Sequence, residues 1–106
     1  MTMLNNFPIL PNDKNIIGII GGGQLGKMIA LSASKAGYKT HVYCPKGDNP
    51  AVSVVDKITY GQWDDYNKLI KFSNEVFCVT SEFENIPSKS LELLSNKTIV
   101  VPSSLV

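Results

Sequence analysis

The sequence predicts an alternating α/β domain built on a parallel sheet, and three observations carry that expectation. Short apolar runs rich in β-branched residues recur along the chain, stretches with helical spacing follow them, and glycine or proline punctuates the junctions. A strand covered on both faces shows a continuous apolar run, where a half-exposed strand shows alternation.

Each element follows from its residues. Residues 1–14 hold Phe7, Pro8 and Pro11 but no basic segment leading into an apolar one, so they are expected to form a flexible N-terminal arm. The domain occupies residues 15–106. Asn15–Ile20 is the first strand, ending at glycines. Gln24–Ala36 then changes period, with Leu25, Met28, Ile29, Leu31, Ser32 and Ala36 at helical spacing and Gly37 as the stop. Lys39–Cys44 is the second strand. Asn49–Asp56 reads as a short helix with Pro50 near its first position, and Lys57–Tyr60 as the third strand. Asp64–Asn74 is a helix with an acidic start and Tyr66, Leu69, Ile70 and Phe72 on its buried side. Glu75–Thr80 is the fourth strand. Ser88–Ser95 is a helix opening after Pro87, and Thr98–Val101 is the fifth strand, stopped by Pro102.

Strict alternation predicts right-handed crossovers and helices on both faces of a five-stranded sheet, in the order 3-2-1-4-5. In that order a crevice opens at the carboxyl ends of strands 1 and 4, where successive connections leave in opposite directions. Composition sets the outer bounds. The chain has 106 residues, 43% hydrophobic and 18% charged, with a formal net charge of +1. It holds one core, offers no electrostatic case for nucleic acid or a membrane surface, and has no apolar run near the roughly 20 residues that span a bilayer. The expected compartment is the cytoplasm. All ten basic residues are lysines, so the bidentate arginine fork that commonly clamps phosphate is missing.

Gly21-Gly22-Gly23-Gln24-Leu25-Gly26 satisfies G-x-G-x-x-G between a strand and a helix, the context that gives the motif its mechanics. Glycine allows the tight turn and close ligand approach, while the helix start offers unpaired N–H groups and a partial positive charge. Close helix–strand packing alone is the bland alternative. A dinucleotide fold places Asp or Glu at the end of strand 2 to bond the adenosine ribose. Here that place holds Tyr43-Cys44-Pro45, the first acid is Asp48, and no arginine stands by for a 2′-phosphate. Both points count against NAD(P), although an NAD(P)-binding oxidoreductase module stays open as an alternative.

Thr80-Ser81-Glu82-Phe83-Glu84-Asn85-Ile86-Pro87 places two carboxylates and an amide past strand 4. In an extended segment Glu82 and Glu84 share one side. Such a pair is costly without donors to offset it, and ribose hydroxyls or a ring amine would serve. The alternative is a solvated loop capped by Asn85 or Ser88.

Taken together, Ile17-Gly-Ile-Ile-Gly-Gly-Gly-Gln-Leu-Gly-Lys-Met28 and Thr80–Pro87 resemble the N-terminal domain of the N5-carboxyaminoimidazole ribonucleotide synthetases, the ATPase subunit of phosphoribosylaminoimidazole carboxylase. Asp48–Ala51, Gly61–Asp65 and Val100–Ser103 are similar to that family too, so the resemblance covers roughly residues 15–106. It implies a Rossmann-like pre-ATP-grasp domain that holds the ribonucleotide substrate of a ligase in de novo purine biosynthesis. In such ligases Mg-ATP activates bicarbonate as carboxyphosphate, and 5-aminoimidazole ribonucleotide is then carboxylated. Carried over by the resemblance, Gly23, Gln24 and Leu25 would contact substrate from the turn. Glu82 would accept from ribose hydroxyls, with Asn85 and Glu84 orienting the loop.

The same resemblance implies that the ATP-grasp and C-terminal domains are absent, because the former should begin just after Pro102 and the chain ends at Val106. The metal and cationic groups on which phosphoryl transfer depends would lie there, so this chain alone is expected to have no catalytic residues, cofactor or ligase activity. Substrate should bind weakly, at best millimolar or about 4 kcal/mol, without a closing domain. An apolar face left uncovered would favour self-association as a homodimer. A non-catalytic remnant or interaction module is the third reading.

The remaining chemistry-bearing residues have plainer assignments. Cys44 and Cys78 lie on strands flanking strand 1, roughly 9.6 Å apart by strand spacing, beyond the about 7 Å a disulfide tolerates; two reduced thiols are expected. His41, mid-strand, is expected to be a packed or surface imidazole, neither catalytic nor a metal ligand. Asp64 and Asp65 should favour the helix start, Trp63 should cover apolar surface, and Lys27 is as readily solvated as ligand-facing.

Overall fold

The computed structural model describes residues 16–81 and 88–102. Their elements are β1 (Ile16–Ile20), α1 (Gln24–Lys35), β2 (Lys39–Cys44), a 3-10 turn (Pro50–Ser53), β3 (Lys57–Tyr60), α2 (Tyr66–Asn74), β4 (Cys78–Ser81), α3 (Ser88–Ser95) and β5 (Ile99–Pro102). The strands form one sheet in the order β3-β2-β1-β4-β5. Every neighbouring pair is parallel: Ile20 stands beside Tyr43 on one side and Ser81 on the other, Cys44 beside Tyr60, and Ser81 beside Pro102. β1 is central and buried from Ile17 to Ile20, as its unbroken apolar run requires.

The pleat divides the core in two. Ile17 and Ile19 face α1 with Val42, Cys44 and Cys78, against Ile29, Ala30, Ala33 and Ala51. Ile20, Tyr43 and Val79 face α2 and α3, against Leu69, Phe72 and Leu94. Gly18 lies on this second face, where an added Cβ would come within 2.8 Å of Phe72 Cζ; its lack of a side chain lets the ring reach the centre of the sheet.

The buried side of α1 corrects the sequence reading. Gly26, Ile29, Ala30 and Ala33 face the sheet, while Leu25, Met28 and Leu31 are 44%, 62% and 43% exposed. The bulky Ile17 and Ile19 already fill the space, so small helix residues are the ones that interlock with them at native density. The other shifts are local. α2 starts at Tyr66 because the Asp65 side chain accepts from the Lys68 N–H at 3.3 Å as its N-cap. β4 starts only at Cys78 because the Glu75 N–H still bonds to Phe72 O at the helix end, 3.0 Å, and the Phe77 N–H first reaches Ile16 O at 2.8 Å.

Cys44 and Cys78 are both buried and form no disulfide; the intervening β1 keeps them apart. Burial pushes the Cys78 thiol up to about 11. His41 is fully buried, with Nε2 2.7 Å from Thr59 Oγ1 and its ring edge-on to Phe72 at 4.7 Å. Desolvation lowers its pKa to about 4, so it is a neutral packed imidazole. Trp63 is partly buried and packs on both core clusters. No helix among the described residues is long and apolar enough to cross a membrane.

Candidate functional site

The carboxyl ends of β1 and β4 lie side by side, and the glycine turn rises from the first of them. Gly21 has φ +111°, a conformation that side-chain-bearing residues rarely adopt. Its N–H donates to Tyr43 O at 2.9 Å, which ties the start of the turn to β2. Gly23 is the N-cap of α1 in extended conformation, and no side chain caps the helix there. With no acid in the first turn either, the partial positive charge at this end of α1 favours an anionic or hydrogen-bond-accepting group. Gln24 and Leu25, the first two helical residues, are exposed, and Lys27 is half-buried one residue beyond Gly26.

Gly23, Gln24 and Leu25 therefore stand together at one lip of the crevice. Glu82, Glu84 and Asn85, assigned to the other lip by sequence, lie outside the described residues. What the structure describes of that lip is its root: Ser81 beside Ile20, and Thr80, buried, whose Oγ1 has no hydrogen-bond partner among the described residues.

Two supports of this edge escaped the sequence reading. Asn49, which precedes Pro50 and looks like a cap, makes no capping bond; its amide instead donates to Pro45 O at 2.8 Å and Gly47 O at 3.2 Å. The Ala51 N–H then donates to Gly22 O at 2.8 Å. Farther along the edge, Tyr43 Oη donates to Gln62 O at 2.6 Å, and Ser90 Oγ to Trp63 O at 2.5 Å. Desolvation, with Asp65 and Asp64 adding to it, pushes the Tyr43 phenol up to about 12, so it stays a donor at any physiological pH. A hollow of about 240 Å³ beside this loop is lined by Lys46, Tyr60, Gly61, Gln62, Asp65 and Lys68. A larger one between α2 and α3, about 290 Å³, includes none of the residues assigned to the site. The paired Asn and Pro were the legible signal for a structured turn at 49–50; nothing in the sequence indicated what it would grip.

A parallel sheet whose glycine turn and uncapped helix start meet at the β1–β4 switch point defines a doubly wound α/β domain with a ligand crevice at its carboxyl edge. Residues 14–106 match the family model described as "Ribonucleotide synthetase preATP-grasp domain", and the chain belongs to that family. It is 46% identical over 81 residues to the N5-carboxyaminoimidazole ribonucleotide synthase of Staphylococcus aureus strain COL, an alignment that covers 76% of this chain and 22% of the relative. It is 43% identical over 86 residues to a bifunctional purine synthesis protein, purC/E, of Dictyostelium discoideum, covering 81% of this chain and 9% of that protein. Among solved structures, the S. aureus N5-carboxyaminoimidazole synthetase complexed with ADP superposes with a TM-score of 0.79 at 42% identity, over 90% of this chain and 25% of that one. The chain thus spans about a quarter or less of the length of these relatives.

Proposed function

We propose that this domain holds 5-aminoimidazole ribonucleotide for an ATP-dependent ligase that carboxylates it with bicarbonate in de novo purine biosynthesis, in the cytoplasm. The observation that carries the reading is the glycine turn and glycine-capped start of α1 at the β1–β4 switch point, in a chain of the ribonucleotide synthetase family. Gly23, Gln24 and Leu25 contact the substrate from the turn. Glu82 accepts from the ribose hydroxyls, with Asn85 beside it. Mg-ATP and bicarbonate are the co-substrates of the full-length family enzyme, and the chain by itself binds without catalysing.

Support against a dinucleotide comes from the end of β2. Cys44 is fully buried in the α1 core, so the position that must present a carboxylate to an adenosine ribose points into the protein. Isothermal titration of the chain with 5-aminoimidazole ribonucleotide, NAD(H) and NADP(H) tests the reading. Weak saturable heat with the ribonucleotide alone, abolished by Glu82→Ala, is expected. Tight binding of either dinucleotide overturns it.

A further inference from the structure

The glycine turn is closed on one flank by the chain itself. The motif demands glycine at positions 21, 23 and 26 and leaves position 22 free, and Gly22 is not among the residues with positive φ. Its backbone would accept a side chain; its surroundings would not. A Cβ built on Gly22 lies 2.7 Å from Asn49 Oδ1, 2.8 Å from Asn49 Cβ and 2.9 Å from Asn49 Cγ. Asn49 is in turn fixed, because both amide hydrogens are committed to the carbonyls of Pro45 and Gly47. That commitment orients the group, leaving the oxygen toward the turn. One step on, the Ala51 N–H bonds to Gly22 O at 2.8 Å, and Ala51 is wholly buried among Ile19, Ile29, Ala30, Val42 and Cys44. Residues 45–51 therefore leave β2, fold back across the turn and fill the flank on which a dinucleotide fold seats the adenosine half of its ligand.

We propose that Asn49 and Ala51 are positioning and specificity-determining residues: they grip Gly22 from the β2 side, hold the turn at a fixed height over β1, and close that flank to ligand, which limits the site to a mononucleotide. The identity of the mononucleotide rests on the function proposed above; the closed flank does not. Gly22 is glycine because of Asn49, and the pair is replaceable only together.

Two measurements on the ¹⁵N-labelled chain test this. The first is amide hydrogen exchange at Ala51, which reports its bond to Gly22. Gly22→Ala should cut protection by about tenfold or more, whereas in the Asn49→Gly background the same change should cost less than about twofold, because the space it needs is then empty. Equal losses in the two backgrounds, or no loss in either, overturn the grip. Asn49→Ala, which keeps the Cβ and removes only the amide, is the second variant in case Gly22→Ala does not fold; it should lose about three- to tenfold of Ala51 protection, and unchanged protection counts against the proposal. The second measurement is chemical-shift mapping with 5-aminoimidazole ribonucleotide and with NAD+. The ribonucleotide should move the amides of Gln24, Leu25 and Ser81 and leave Asp48, Asn49 and Ala51 in place, and NAD+ should move none of them. Shifts centred on residues 48–51 with either ligand overturn the closed flank. A ribonucleotide that moves nothing defeats the proposed function, and the exchange data and the NAD+ titration then judge the closed flank by themselves.

Discussion

The two faces of the sheet solve the same packing problem with opposite materials. Against α1 the core sets Ala30, Ala33 and Ala51 between isoleucines, with Tyr38 beside Ile17 and Ala33. Against α2 and α3 it is made of rings: Tyr43 and Phe72 have centroids 5.5 Å apart, Trp63 lies 6.1 Å from Tyr43, and His41 meets Phe72 edge-on. The small face brings a helix close over β1 and so places its N-terminus at the mouth of the crevice. The rings of the aromatic face each bring a large apolar surface to the core. One face aims; the other holds.

Substitutions can separate these two roles. Phe72→Ala, which empties the centre of the aromatic face, should cost about 4 kcal/mol in urea unfolding, with the turn's own contacts untouched by any direct loss. Ala30→Leu on the small face should cost about 2–3 kcal/mol by overpacking, and it should also shift the amides of Gly23, Gln24 and Leu25, which Phe72→Ala should not. A match between the two spectra would dissolve the distinction. Acid should act on the aromatic face through His41. His41 is held neutral, with a folded pKa of about 4 against an ordinary 6.5, chiefly by desolvation. The unfolded chain therefore binds the extra proton between those values, so stability is full above pH 6.5 and falls as pH drops toward 4. With allowance for solvent screening the loss should be on the order of 1.5 kcal/mol. His41→Gln, whose amide can pair with Thr59 Oγ1 either as donor or as acceptor, should flatten that segment of the pH profile; an unchanged slope would assign it to other groups. Met28→Gln, on the exposed ridge of α1, should change stability by less than about 0.5 kcal/mol, and a larger loss would mean that the ridge is covered in solution.

Legibility in the sequence followed the range of the interaction. β1 and the G-x-G-x-x-G turn are written in consecutive residues, as are the alternations that yield a parallel sheet, and these could be read directly. The buried face of α1 could not, because Ala30 and Ala33 carry too little hydrophobicity to outweigh Leu25, Met28 and Leu31, and only the isoleucines across from them make small size an advantage. Asn49 was visible as the start of a short helix before Pro50, but its grip on Gly22 joins residues 27 apart in sequence. Tyr43 and Ser90 were legible as a core ring and a helix hydroxyl; that both would seize carbonyls of the 61–65 loop depends on where α3 lands. The glycine-turn half of the site was thus readable from motif and context, while the parts that fix its shape lie in contacts between distant segments.

Tyr43 touches more of the carboxyl edge than any other residue discussed. Its carbonyl holds Gly21, its hydroxyl holds Gln62, and its ring is pinned by Phe72 and Trp63. The glycine turn and the 61–65 loop are thereby coupled through one residue, its backbone at one end and its side chain at the other, like two ends of a bracket. An edge so braced is stiff in one piece: a substitution that frees the Tyr43 ring would loosen the glycine turn and the 61–65 loop together.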